Sequence, residues 1–201
     1  LEAAAAKTAK PLLLRPPTSE TAIRAAERTL GLDFPDDYRC ALLLHDGQES
    51  GDGDDDAFEW LPGQGRLASL ERVVDEWRVT CKNFEKFCAG EVAQPVDGER
   101  LKHFLWHPRR IPIAGNPWWD QDNTYLDFAP GPRGVEGQLA IFGKGNFGQV
   151  QAPSFRIGME VYVDALESGE WTFDGVCCVH AAKRRLSWPR YIDKKLTKRG
   201  S

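Results

Sequence analysis

Apolar positions recur at helical spacing in several stretches of this chain. Ile23, Ala26 and Leu30 fall on one face of a segment that opens at Pro16-Pro17-Thr18-Ser19-Glu20 and stops at Gly31. Thr18 is the expected N-cap, Glu20 sits in the first turn where the helix dipole favours an anion, and Gly31 supplies a left-handed stop. A turn at Leu32-Asp33-Phe34-Pro35 leads into a second, shorter helix from Asp36 to Leu44, closed by His45-Asp46-Gly47. The longest pattern starts at a Ser69 cap. It runs through Leu70, Val73, Val74, Trp77, Cys81, Phe84, Phe87 and Cys88 to Gly90, with Glu71, Arg72, Asp75, Glu76 and Arg78 mostly off that face. A last strong helix is expected from a Ser154 cap to Glu167, with Phe155, Met159, Tyr162, Val163 and Leu166 inward and Gly169 as its stop.

Between the third and fourth helices the pattern changes to short β-type runs. These are Arg110 to Ala114, Thr124 to Phe128 and Gln138 to Phe142, with Gln149 to Pro153 following and Trp171 to Phe173 as a closing edge. Strands gathered in the middle with helices around them argue an α+β class: a central, mostly antiparallel or mixed sheet of about four to six strands packed against helices in a single domain. Residues 1–16 are expected to be a flexible N-terminal segment, whose Leu1 to Lys7 stretch (LEAAAAK) reads as a linker or fragment end. Residues 17–175 are the expected folded unit, and 176–201 a basic C-terminal tail without a clear apolar face.

Length and composition fit that picture. The chain has 201 residues, 41% of them apolar, with seven Trp and ten Phe as bulky core candidates. No apolar run approaches the roughly 18 residues of a membrane span, and no secretory signal pattern opens the chain, so a cytoplasmic location is expected. Five cysteines at irregular spacing read as reduced thiols rather than a disulfide framework. Charge is divided. Residues 183–201 carry eight Lys/Arg against the single Asp193, which leaves 18 basic and 29 acidic residues for the rest, a body of −11. Such a body disfavours nucleic acid and favours basic protein partners, while the tail could give nuclear access.

Several motifs tempt toward chemistry. Gly143 to Val150 (GKGNFGQV) imitates a kinase glycine loop, but no Lys occurs between Lys144 and Lys183, and the His-Arg-Asp and Asp-Phe-Gly elements are missing, so a turn between strands is expected. The acidic loop from Gln48 to Glu59 fails the calcium pattern: counted from Asp52, the sixth and twelfth places hold Ala57 and Gly63. His103 and His107 have metal-pair spacing, but Pro108 opposes a helix through them and the Cys81/Cys88 spacing is too wide for zinc. His45 beside Asp46 has the form of a base and its orienting carboxylate, yet no nucleophile element accompanies it. The expectation is a non-enzyme with no cofactor and no metal. Arg184-Arg185-Leu186-Ser187-Trp188 has the form of a basophilic kinase site, which makes Ser187 a candidate for phosphorylation.

Taken in order, these residues resemble the SUKH superfamily, which includes a fungal cell-wall assembly regulator and many bacterial toxin-immunity proteins. The resemblance is carried by Gly31-Leu32-Asp33-Phe34-Pro35-Asp36-Asp37-Tyr38, by Leu44-His45-Asp46-Gly47-Gln48-Glu49, by Trp106-His107-Pro108 with Ile111-Pro112-Ile113, by Leu126 to Pro132 with Gly134 and Gly137-Gln138, and by Ser154-Phe155 and Glu167 to Trp171. It spans about residues 17–173 and is nearest the fungal-regulator branch. It implies a non-catalytic protein-interaction module acting as a regulatory scaffold, with an immunity protein that neutralises a toxin domain as the alternative. One departure is the turn Asn116 to Asn123, where the family's glycine-rich turn is replaced by Trp118-Trp119-Asp120-Gln121-Asp122. Two adjacent Trp there serve either as core or as interface anchors. Trp118, Trp119, Asp120 and Asp122, with His45 and Asp46, are the candidate partner-binding residues.

Overall fold

The chain starts with α1 (Glu2–Ala5), followed by α2 (Glu20–Leu30) and α3 (Asp36–Leu44). A computed structural model describes residues 1–8, 10–49, 60–87, 97–102, 104, 106–116, 119, 123–143, 148–174, 177–182 and 185–199. The cap of α2 is Ser19, whose hydroxyl accepts the Ala22 amide, one residue later than the expected Thr18. Thr18 instead donates its N–H to Leu42 O at 3.1 Å and so ties α2's lead-in to α3. Gly31 closes α2 at φ 68° as its sequence position predicts. Glu27, itself buried, accepts the Phe34 amide at 2.9 Å and pairs with Arg39, fixing the angle between the two helices.

The sheet is an antiparallel meander in chain order: β1 (Arg66–Leu67), then α4 (Leu70–Phe87), then β2 (Arg110–Gly115), β3 (Asn123–Asp127), β4 (Gln138–Phe142) and β5 (Gln149–Ala152). The α+β class and the antiparallel sheet agree with the sequence pattern. The kinase-like GKGNFGQV segment runs from the end of β4 into its antiparallel neighbour β5, and residues 144–147, where a turn is expected, lie outside the described residues.

Alternation along the strands divides the interior. One face, with Ile111, Ile113, Leu126 and Leu139, meets Ile23, Leu30, Tyr38 and Leu42 from α2 and α3, and Phe155 and Tyr162 from α5 (Phe155–Glu167). The other carries Tyr125, Ala140, Phe142 and Val150 under Leu101. On that second face three polar residues stand opposite one another in register, Arg110, Asp127 and Gln138. Arg110 and Asp127 are both fully buried and lie 3.3 Å apart. Arg110 also donates to the carbonyls of Phe104 and Lys102 and stacks on Phe142, while Asp127 accepts from Ala129 N and Gln138 Nε2. A buried ion pair costs desolvation, and these extra bonds are what offset it.

Two expectations about the ends are corrected. Past β6 (Trp171–Phe173) the chain pairs back as β7 (Cys178–His180) and continues as α6 (Trp188–Arg199). Residues 176–201 are therefore not a featureless basic tail. Trp188, Tyr191 and Ile192 recur at i, i+3 and i+4 and are buried, with the Trp188 ring 5.4 Å from Trp171 and 5.5 Å from Tyr162. The basic residues between them masked an amphipathic helix. At the other end, Ala5 and Leu12 are buried, Leu14 forms a bridge with Gln48, and Glu49 N donates to Leu13 O at 2.7 Å. Residues 1–16 are tied down by backbone bonds rather than free.

Candidate functional site

The His45-Asp46-Gly47-Gln48 stretch is a junction where four parts of the fold meet. The cap of α4 is the expected Ser69, whose hydroxyl accepts the Arg72 amide at 3.3 Å, and an Asp46 carboxylate oxygen accepts the Leu70 amide at 2.7 Å beside it, where a carboxylate also suits the helix dipole. Gly47 has φ 73°, and any side chain there would run into the Ala68 carbonyl. The buried Gln48 donates from Nε2 to Leu12 O at 2.6 Å and accepts the Leu67 amide at 3.1 Å, stitching the N-terminal segment to β1. His45 Nδ1 lies 3.2 Å from Arg15 O, and Arg15 Nε lies 3.9 Å from Asp46.

A groove of about 290 Å³ opens beside this junction, lined by Arg15, Gln48, Arg66, Arg72, Asn116 and Trp119 among others. Trp119 takes a left-handed backbone, φ 54°, which is costly for a bulky L residue and is held by neighbours. Its amide donates to Asn116 O at 3.1 Å. One ring edge lies over Gly115, where a Cβ would come within 3.1 Å of Cε3, and the Arg72 guanidinium lies 5.4 Å from the ring centre. Trp119 is half-buried and packs against the main core while still lining the groove, so the alternatives of core or surface do not separate for it. Arg72 is steered by Glu76 at 2.7 Å, and Arg66 donates to Glu49 O at 3.1 Å. Burial pushes the Glu76 carboxyl above its ordinary value, against the pull of Arg72. Glu71 and Asp75 also border the groove, so its guanidiniums are largely balanced.

Residues 17–159, well over half of the chain, match the SMI1 / KNR4 family (SUKH-1). The chain belongs to this family. Among curated relatives, this SUKH-1 chain is 27% identical over 161 residues to the cell wall biosynthesis/cell cycle regulator smi1 of Schizosaccharomyces pombe, covering 76% of this chain and 31% of that protein. It is 25% identical over 186 residues to the glucan synthesis regulatory protein of Neurospora crassa, covering 74% and 33%. To the cell wall assembly regulator SMI1 of Saccharomyces cerevisiae it is 24% identical over 200 residues, covering 79% and 37%. The chain thus spans about a third of the length of the curated relatives it matches.

Within the SUKH-1 fold the sequence-derived residues separate. Asp46 is engaged with the first amide of α4, and His45 stands beside it against the Arg15 carbonyl. Trp119 lines the same groove as Gln48. Trp118, Asp120 and Asp122 lie outside the described residues. Ser187 is exposed, and its carbonyl accepts the Tyr191 amide at 3.1 Å as α6 begins. Arg15, Arg66 and Arg72 were not singled out by sequence as site residues. Arg66 in β1 and Arg72 in the first turn of α4 are near in sequence, but Arg15 is remote from both and no motif connects the three. Among the described residues no group of three or more His, Cys, Asp or Glu is disposed to hold a metal ion, and no helix is long and apolar enough to cross a membrane.

Proposed function

We propose that this SUKH-1 domain is a non-catalytic protein-interaction module, acting as a regulatory scaffold of the cell-wall-regulator type and seating a partner protein in the groove beside Trp119. The observation that carries this reading is the family match together with curated relatives named as regulators of cell wall biosynthesis, glucan synthesis and cell wall assembly. The groove adds a chemical rationale. A half-buried Trp with a guanidinium over its ring offers an aromatic anchor beside charged hydrogen-bonding groups, the combination that dominates many interfaces. Trp119, with Arg72, Arg66 and Arg15, makes contact, and Trp118, Asp120 and Asp122, its neighbours in sequence, join it. His45 and Asp46 act from behind by holding Arg15 and the start of α4. The groove's own charges nearly balance and α6 returns basic residues to the folded surface, so the chain's net charge of −4 supplies only modest long-range attraction for a basic partner and the groove supplies selectivity. The site of action is the cytoplasm, with nuclear access through the basic residues of α6.

The test is affinity capture from the source cells with wild-type chain and with Trp118→Ala/Trp119→Ala, captured proteins being identified by mass spectrometry and melting points measured in parallel. A partner lost by the variant at an unchanged melting point supports the groove. A collapsed melting point with no separate binding defect returns both residues to the core. The immunity alternative draws on the acidic body, and protection of cells from a co-expressed basic nuclease would favour it instead.

A further inference from the structure

The C-terminal helix α6 is docked by its apolar row and by a small set of polar ties. Trp188 sits between Tyr162, Trp171 and Tyr191, with ring centres 5.4–5.6 Å away. Tyr191 Oη donates to one Glu170 oxygen at 2.8 Å and Lys195 Nζ to the other at 2.7 Å. Asp193 accepts from Arg100 at 3.1 Å. Ser187 is the last residue before this helix. It is exposed, and its hydroxyl makes no hydrogen bond among the described residues, so nothing chemical competes for that oxygen. Arg185 is exposed two residues before it, at the end of the Lys183-Arg184-Arg185 run in the sequence.

We propose that Ser187 is a phosphorylation site for a basophilic protein kinase, and that it becomes a substrate only when α6 lifts away from the aromatic cluster. Protein kinases take the acceptor and its neighbours as an extended strand, so the residues on both sides must be able to leave the folded surface. On the N-terminal side the hold is light: Arg185 is exposed and Leu186 only partly buried at the edge of the core. On the C-terminal side it is not. Trp188 is 3% exposed, Pro189 is buried, and the Ser187 carbonyl is already committed to Tyr191 N. The docked helix therefore withholds half of the recognition sequence, and the rate of modification follows the fraction of molecules with α6 undocked. In the step itself the Ser187 oxygen forms a bond to the γ-phosphorus of ATP and the bond from that phosphorus to the β–γ bridging oxygen breaks. The hydroxyl proton passes to the kinase's catalytic carboxylate, and ADP leaves. This inference is independent of the groove.

The test uses the whole chain, the catalytic subunit of cyclic-AMP-dependent protein kinase and labelled ATP, with the site mapped by mass spectrometry. Ser187→Ala should abolish the label at that peptide. Glu170→Ala removes both the Tyr191 and Lys195 ties while leaving residues 183–191 unaltered, and should raise the initial rate at Ser187 about fivefold. Asp193→Asn removes only the Arg100 tie and should raise it less, which keeps the test valid if Glu170→Ala fails to fold. Hydrogen exchange should show the added opening confined to residues 188–199. No phosphate at Ser187 in any of these proteins overturns the site. Equal rates in the wild type and in folded variants whose α6 exchanges faster overturn the gating.

Discussion

The Asp46 carboxylate reaches the start of a helix 24 residues further along the chain, accepting the Leu70 amide at 2.7 Å beside the Ser69 cap. His45-Asp46-Gly47 resembles a functional motif because it is polar and sits at a turn, but its measurable contribution is structural. Asp46→Ala should lower stability by about 1 kcal/mol, while Asp46→Asn, which keeps an acceptor, should cost a few tenths. Urea denaturation of the two variants checks this. Equal, negligible effects would return Asp46 to the interface.

The buried pair of Arg110 and Asp127 gives a larger effect. Asp127→Ala strands a guanidinium that is fully out of water and should cost about 3–5 kcal/mol. Arg110→Met combined with Asp127→Leu removes both charges, so the double variant should be more stable than Asp127→Ala alone. Chemical denaturation of the single and double variants decides it. A double variant as unstable as the worse single would show that the hydrogen bonds to Lys102, Ala129 and Gln138 outweigh the pair itself.

At the groove, Arg72→Ala removes a guanidinium proposed to face the partner and should weaken binding of a purified captured partner by about 1 kcal/mol, while loss of its contact with the Trp119 ring lowers the melting temperature only slightly. Gly115→Ala should be worse for both properties, because the added methyl runs into Asn123 and crowds the Trp119 ring. Calorimetric titration beside thermal melts separates the two effects. An Arg72→Ala protein with wild-type affinity would remove this residue from the proposed interface.

His107 makes stability depend on pH. Its burial, followed by the charges of Arg110 and Lys102, holds it below its ordinary value of 6.5, and Nδ1 accepts the Arg109 amide at 3.1 Å, a bond the protonated ring cannot keep. The unfolded chain therefore takes up a proton at higher pH than the folded one. The contribution of His107 to stability is full above 6.5 and declines as pH falls from there through the folded pKa. Urea midpoints between about pH 7 and 5 should fall less steeply in His107→Gln than in the wild type.

Much of the architecture is legible in the sequence where periodicity and punctuation agree. α3 runs from Asp36 to Leu44, β4 from Gln138 to Phe142, and both Gly31 and Gly169 take the left-handed backbone expected of stops. The misreadings have local causes. In α5 the expected inward row included Met159, Val163 and Leu166, but Gly158, Val161 and Ala165 are the buried positions and those three only half-buried. The helix lies so close to the sheet that a Cβ at Gly158 would come within 3.1 Å of Ala152 Cβ, and small residues face the strands for that reason. β1 is two residues long and exists only through its pairing with β2, so no alternation could announce it. The α6 signal was present in Trp188, Tyr191 and Ile192 but was outweighed by the lysines and arginines around it. The groove was the least legible part, since Gln48, Arg66, Arg72 and Trp119 become neighbours only after β1 pairs with β2 and α4 is capped.

The sheet has two rims, and they are guarded differently. At one, β1 offers two residues of backbone, too little to template another strand. At the other, β5 is twice as long and α6 lies against it. A partner that recognises this protein while α6 is docked must therefore read side chains, not extend the sheet. In the proposed undocked state, the motion that frees Ser187 also uncovers part of this rim, where the Val150 amide stays tied to an Asp97 carboxylate oxygen at 2.9 Å, so main-chain association is open only to the remaining groups.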